Sequence, residues 1–190
     1  MRIIKPCLSA IALGLLAASA WAQPVPEIAT PKHHLFPGAT NPNVTQATIK
    51  QTICKKGWTD TIRPPTSYTN AAKKSQMQIT LHYTDKNTLP LVLSASGKTK
   101  RPDIRKCKEH SANMACWEED HLISLELGGA PRDTKNLWPE PWFGAWNARQ
   151  KDVLETKLKN MVCAGDVTLA EAQMAISTDW IAAYKKFVQP

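Results

Sequence analysis

Four cysteines spread between residues 54 and 163 constrain the fold most, because they mark the points at which the chain can be closed covalently. An even number of cysteines in an exported chain is typical of disulfides, so two are predicted. Four cysteines allow three pairings, one of which closes a short loop between the middle two and leaves the outer two to join. The alternative is a structural zinc that includes His110, although the spacing lacks the usual close pairs of ligands. The four residues are Cys54, Cys107, Cys116 and Cys163.

The N-terminal residues predict export. Arg2 and Lys5 precede an apolar run at residues 11–18, and Ala20-Trp21-Ala22 forms a small-x-small cleavage site. We expect a signal peptide at residues 1–22 that is removed, which places the protein in the periplasm or outside the cell. No later stretch is apolar enough to span a bilayer, so no membrane attachment is expected after cleavage.

The remaining 168 residues suit one domain with a hydrophobic core. They carry 22 basic and 16 acidic residues, a net charge of +6. This balance suggests a polyanionic partner, although solubility alone explains it equally well. The domain is expected at 43–190, after an extended proline-rich lead-in at 23–42.

The first half of this domain carries weak signals for regular structure. Residues 45–53 predict a helix with Thr45 as N-cap, ended by Gly57. Residues 66–106 predict a polar, loop-rich insertion with short strands at 79–83 and 89–93. A basic cluster at residues 98–108 predicts either a solvated loop or a contact with phosphates.

The second half predicts a hairpin followed by helices. Alternating apolar residues at 122–127 predict a half-buried strand, Gly128-Gly129 ends it, and residues 136–138 return to the hairpin until Pro139. A helix is expected from about residue 145 to 165. A capping box at residues 168–171 opens another helix, and Ser177 is the expected cap of a last helix that ends near residue 187.

The order strand, long loop, strand, helix resembles the HNH endonucleases of the ββα-metal fold. The motifs that carry this resemblance are Glu119-Asp120-His121, Gly128-Gly129 and Asn136-Leu137, within residues 118 to about 155. More widely, the chain is similar to small exported bacterial proteins classed as HNH-type nucleases. The resemblance implies an α+β fold with a ββα-metal core at about 117–162, an N-terminal helix, a loop-rich insertion and C-terminal helices.

The resemblance also implies a divalent-metal-dependent endonuclease that hydrolyses phosphodiester bonds of DNA, RNA or both. Such hydrolysis needs an activated water and a cation that stabilises charge on the phosphate. His121 would be the general base, Asp120 a ligand of Mg²⁺ with Mn²⁺ as the alternative ion, and Asn136 the brace of the histidine loop.

The third motif position, on the helix, is the least certain of the implied site. Asn147 is the candidate metal ligand there, but residues 139–144 lengthen the connection. Lys151 and Glu155 follow on the same edge of the helix, where Lys151 would contact phosphate and Glu155 would bind metal. Glu118 and Glu119 could add a further ligand, but a solvated acidic edge is the favoured interpretation for both.

Other interpretations remain open at this stage. Asp120 and His121 could be a hydrogen-bonded pair at a strand start, and Asn136 could cap a turn. Trp138, Trp142 and Trp146 could stack on bases, but core packing is favoured. The chain could be a catalytically inactive exported module that binds nucleic acid or serves as structure. A hydrolase for a non-nucleotide substrate has no motif of its own in the sequence.

Overall fold

The computed structural model describes residues 29–80, Cys107 and residues 113–189. The predicted signal peptide, the lead-in up to residue 28, the strand predicted at 89–93 and the basic side chains at 98–108 lie outside the described residues. The described part contains four α-helices and two strands in an α+β arrangement, as expected at the level of fold class. These are α1 (Trp58–Ile62), α2 (Thr66–Thr80), β1 (Trp117–His121), β2 (Leu137–Pro141), α3 (Ala148–Ala164) and α4 (Leu169–Phe187).

The two strands form an antiparallel hairpin with a long connection, as predicted, but its first strand begins earlier than the sequence pattern indicates. In β1, Trp117 lies opposite Pro141 and His121 opposite Leu137. The predicted strand at 122–127 is wrong, since residues 125–127 form one turn of 3-10 helix capped by Ser124. The apolar residues there and Ser124 are all buried, so the alternation does not separate two faces.

Strand β2 continues past the proline that was expected to end it. Pro139 lies opposite Glu119, and the strand runs to Pro141. Proline cannot donate to a ladder and is therefore confined to strand edges. In a two-stranded sheet every strand has a free edge, so both prolines fit.

The helix predicted at residues 45–53 is wrong, because this segment is a series of turns. The Thr48 hydroxyl accepts from the amide of Thr45 and donates to the carbonyl of Asn43. Such local bonds compete with helical ones, and the many β-branched residues of the segment lower its helix propensity. The turns still bury Val44, Ile49 and Ile53.

The loop-rich insertion is also partly wrong, because residues 66–80 form helix α2. Pro65 precedes its first residue, a position where proline suits a helix start, and residues 71–74 are good helix formers. The helix packs on both strands of the hairpin. Its Met77 is fully buried in a cluster with Cys107, Met114, Cys116 and Trp117.

The two C-terminal helices pack against each other and form the main core. Helix α3 starts three residues later than predicted, and the predicted capping box opens α4 at Thr168 and Glu171. Helix α4 breaks at Asp179, whose carboxylate accepts from the amides of Ile181 and Ala182. The predicted last helix is thus capped by Asp179 and not by Ser177.

The core includes Leu154, Leu158 and Val162 of α3 and Ala172, Ile176 and Trp180 of α4. None of the described helices is long and apolar enough to cross a bilayer.

Both predicted disulfides are present, and they have the pairing in which the middle two cysteines close a short loop and the outer two join each other. Cys107 bonds Cys116, and Cys54 bonds Cys163, which fixes the N-terminal turns to the end of α3. The structural zinc alternative is therefore wrong for these cysteines. The pairs close loops that differ greatly in length, with sequence separations of 109 and 9.

The loop lengths predict unequal contributions to stability. A chain-entropy estimate assigns about 5 kcal/mol to Cys54–Cys163 and about 2.5 kcal/mol to Cys107–Cys116. We expect the Cys54→Ser/Cys163→Ser protein to lose more free energy of unfolding in urea than the Cys107→Ser/Cys116→Ser protein. An equal or reversed loss would show that chain entropy does not set the order.

Candidate active site

A cavity of about 280 Å³ lies beside strand β1, between the start of α2 and the start of α3. Strand β1 contributes both of its faces to the wall, since four consecutive residues from Glu118 to His121 line the cavity. Arg63, just before α2, and Arg149, in the first turn of α3, add positive charge. Lys73, Trp117 and Trp142 also line the cavity.

His121 ends strand β1 and has one ring nitrogen held by the backbone. Its Nε2 lies 3.0 Å from the carbonyl oxygen of Pro131. A carbonyl can only accept, so this contact assigns the proton to Nε2 and leaves the lone pair on Nδ1. Burial lowers the pKa of His121, although Asp120 opposes that shift. The imidazole is therefore neutral at neutral pH, the state that a general base requires.

Asp120 faces helix α3 and forms an ion pair with Lys151. The Lys151 ammonium donates to Asp120 Oδ2 at 2.5 Å and to the His121 backbone carbonyl at 2.8 Å. It also donates to Glu155, one helical turn further along α3. Burial would raise the pKa of Asp120, but the charge of Lys151 and the interaction with His121 lower it below its usual value. Asp120 is thus a carboxylate held by a resident cation.

Four acidic side chains surround that single ammonium. Glu118 and Glu140 lie opposite each other on the two strands, on the same face as Asp120, and Glu155 approaches from α3. Burial and the neighbouring acids raise the pKa of Glu118 to about 8 and that of Glu155 to about 7. Burial also raises the pKa of Glu140 well above its usual value. Burial disfavours charge on Lys151, but the carboxylates of Asp120, Glu155 and Glu140 overcome it and raise its pKa.

Glu119 lies on the opposite face of β1, toward α2. Only 8 % of the residue is exposed, and neither carboxylate oxygen has a hydrogen-bond partner among the described residues. Burial raises its pKa to about 9, although Lys73 opposes the shift. The Lys73 ammonium is also buried and donates to the Trp117 carbonyl at 2.9 Å. The expectation of a solvated acidic edge is therefore wrong for Glu119.

Asn136 braces the loop between the strands with four hydrogen bonds. Its Oδ1 accepts from the amides of Ile123, at 2.8 Å, and Ala39, at 3.4 Å. Its Nδ2 donates to the carbonyls of Ile123 and Ala130, at 3.0 and 3.1 Å. The residue is fully buried, and the loop it holds includes Pro131, which contacts the histidine ring. Asn136 thus fixes the residues on which the orientation of His121 depends.

The expected metal ligands do not fit a metal as they stand. Both amide atoms of Asn147 act at the start of α3, because Oδ1 accepts from the Arg149 amide and Nδ2 donates to the Gly144 carbonyl. Asp120 and Glu155 are bonded to Lys151. Within the described residues, no group of three or more His, Cys, Asp and Glu side chains could hold a metal ion.

Several residues of the site escaped sequence reasoning for local reasons. Glu140 lies between two prolines in a segment that was expected to be outside the strand. Lys73 belongs to the helix that was interpreted as a loop, and Pro131 acts only through its carbonyl. Among the tryptophans, Trp142 lines the cavity, whereas Trp138 packs in a small buried cluster and Trp146 packs edge-on against Trp180 and Tyr184.

The fold and the site together define a small disulfide-linked α+β protein with a buried histidine at the wall of a charged cavity. The chain matches no protein-family model, no curated protein and no solved structure. Its function must therefore be argued from its own residues.

The brace at Asn136 predicts that Gly129 cannot be replaced. A Cβ at residue 129 would lie 1.7 Å from the Ile123 carbonyl oxygen and 2.8 Å from Asn136 Nδ2. We expect Gly129→Ala to lower the free energy of unfolding by more than about 3 kcal/mol, measured in urea. The control is Gly57→Ala, where a Cβ meets nothing within 4 Å but φ is +78°. It should cost only about 1 kcal/mol, and a similar loss in both variants would contradict the steric argument.

The buried carboxyl of Glu119 predicts a pH dependence of stability. Its folded-state pKa of about 9 lies above the ordinary value, so its contribution is full below pH about 4.5 and is lost as pH rises toward 9. Glu119→Gln removes this titration. Between about pH 5 and about pH 9, the range between the ordinary and the folded-state pKa, the melting temperature of the variant should therefore fall less than that of the parent. Glu126→Gln, on the nearby loop, should keep the dependence of the parent. Equal slopes for Glu119→Gln and the parent would contradict this assignment.

Proposed function

We propose that this protein is an endonuclease that hydrolyses phosphodiester bonds of DNA, RNA or both outside the cytoplasm, with His121 as general base. The observation that carries the proposal is the Pro131 contact, which fixes the proton of the imidazole on Nε2 at the wall of the cavity. A neutral imidazole with Nδ1 unprotonated can accept a proton from water. The two disulfides are compatible with an oxidising compartment.

The reaction would proceed by attack of water on phosphorus. His121 Nδ1 takes a proton as the water oxygen bonds to phosphorus, and the bond from phosphorus to one ester oxygen then breaks. The departing oxygen takes a proton from water. Asp120 stabilises the imidazolium that forms, since its charge already favours protonation of the ring.

Positive side chains beside the histidine support an anionic substrate. Arg63 lies close enough to His121 to lower its pKa, and Arg149 lines the same cavity. A guanidinium can donate two parallel hydrogen bonds to a phosphate, which both binds and orients it. Trp142 offers an aromatic surface in the cavity wall on which a base could stack.

The order of elements gives further support. Strand β1, the braced loop, strand β2 and helix α3 follow one another in the order of the HNH endonucleases, with the acid-histidine pair at the end of β1. The resemblance implies a dependence on Mg²⁺ or Mn²⁺, which is untested. Parallel assays with Mg²⁺ and with chelator test it.

A second candidate is an exported nucleic-acid-binding module without turnover. The role of Asn147 as a helix cap favours this candidate. Both polar atoms of the side chain that was expected to complete a metal site are already bonded to the backbone at the start of α3. The candidates separate in one assay, since a binding module shifts plasmid DNA or RNA on a gel without shortening it.

The proposal predicts that His121→Ala removes cutting without unfolding the protein. General-base catalysis contributes about 10²- to 10⁴-fold, so the rate on plasmid DNA or RNA should fall by at least about 100-fold. The matched control is His34→Ala, at an exposed histidine, which should cut like the parent. Circular dichroism and melting temperature establish that each variant is folded. A folded His121→Ala protein that cuts at the parent rate would refute the assignment.

A further inference from the structure

The Lys151 ammonium sits in a cage of oxygen atoms. Its three protons go to Asp120 Oδ2 at 2.5 Å, the His121 carbonyl at 2.8 Å and Glu155 Oε1. An ammonium has three donors and no acceptor, so the hydrogen bonds of the group are fully used. The side chain is entirely buried, so the charge is shielded from solvent at this position.

The groups around the cage are themselves held in place. The Ser124 hydroxyl donates to Glu155 Oε2 at 2.8 Å, so the carboxylate is held at the oxygen that Lys151 does not bond. Glu140 is 1 % exposed, and neither of its oxygens has a hydrogen-bond partner within the described residues. It lies opposite Glu118 in the hairpin, on the face that carries Asp120.

Two carboxylates, a backbone carbonyl and a further buried carboxyl are the kind of oxygen ligands that hard divalent cations bind in proteins. Here a lysine nitrogen stands at their centre. An ammonium is a compact point charge, so it can neutralise the acids without a metal ion. A metal ion cannot bind among these oxygens while the ammonium occupies the same place.

We propose that Lys151 is a built-in cation: its ammonium takes the place of a divalent metal ion between Asp120, the His121 carbonyl and Glu155. It holds Asp120 and the end of β1 in the geometry described above. For the nuclease activity, the inference rests on the proposed function and implies cutting that persists in chelator. Lys151 is then a positioning residue, and the expected contact of Lys151 with phosphate does not occur.

Binding of Mn²⁺ tests the inference without reference to activity. The oxidised parent protein should show no calorimetric binding of Mn²⁺ and no change in melting temperature when Mn²⁺ is added. Lys151→Ala empties the cage and should bind one Mn²⁺ per chain. Its melting temperature should rise by roughly 5–10 °C at about a hundredfold excess of ion over Kd. Lys157→Ala, at an exposed lysine of the same helix, is the matched control and should behave like the parent.

Two results would overturn the proposal. One is stoichiometric Mn²⁺ binding by the parent that is lost in Asp120→Asn. The other is a folded Lys151→Ala protein that takes up no Mn²⁺. If Lys151→Ala folds only when Mn²⁺ is present during refolding, the ion replaces the ammonium and the proposal is supported.

Activity assays separate this inference from the nuclease proposal. A parent that cuts equally with Mg²⁺ and with chelator supports both ideas, and a parent that cuts only with added metal overturns the built-in cation. A parent that cuts under neither condition refutes the nuclease proposal, while the Mn²⁺ titrations still decide the role of Lys151.

Discussion

The buried ammonium of Lys151 ties helix α3 to the end of strand β1, and the site depends on this contact. A buried charge costs several kcal/mol unless it is paired and hydrogen-bonded, and here two carboxylates and a carbonyl satisfy it. Removal of the ammonium or of the carboxylates would leave an uncompensated charge in the interior. The position of α3 against the hairpin is thus specified by electrostatics, in addition to the apolar packing of α3 on α4.

The loop between the strands is the second constraint on the site. Asn136 supplies the bonds that a regular ladder would have supplied, and Gly129 lets the Ile123 carbonyl approach closely. This close packing carries Pro131 to the imidazole of His121. Backbone atoms therefore set the tautomer of the histidine, while β1 sets its position. The hydrogen bonds of this loop explain how two short strands, in the part of the chain that the structure describes, hold a defined polar site.

Sequence patterns predicted local features well where one short motif suffices. The capping box at Thr168, the end of α3 at Gly165 and the hairpin connection are present in the structure. The sequence patterns failed where burial or local hydrogen bonds compete with the structure that the pattern favours. The apolar residues and Ser124 of the segment 122–127 are all buried, and Thr48 makes local hydrogen bonds in the turns at 45–53. Helix α2 was missed because its buried face includes the polar Lys73 and Gln76 beside Met77, so no apolar period marks it.

The sequence by itself determined the coarse fold class, the hairpin followed by a helix, and the placement of an acid-histidine pair at a strand. It also brought Lys151 and Glu155 to one edge of α3, since residues four apart share a helix face. Only the tertiary structure decided what these side chains do. Glu119 and Glu140 became buried carboxyls, and Lys151 came to lie against Asp120. These outcomes depend on distances between elements far apart in the chain, which no local pattern encodes.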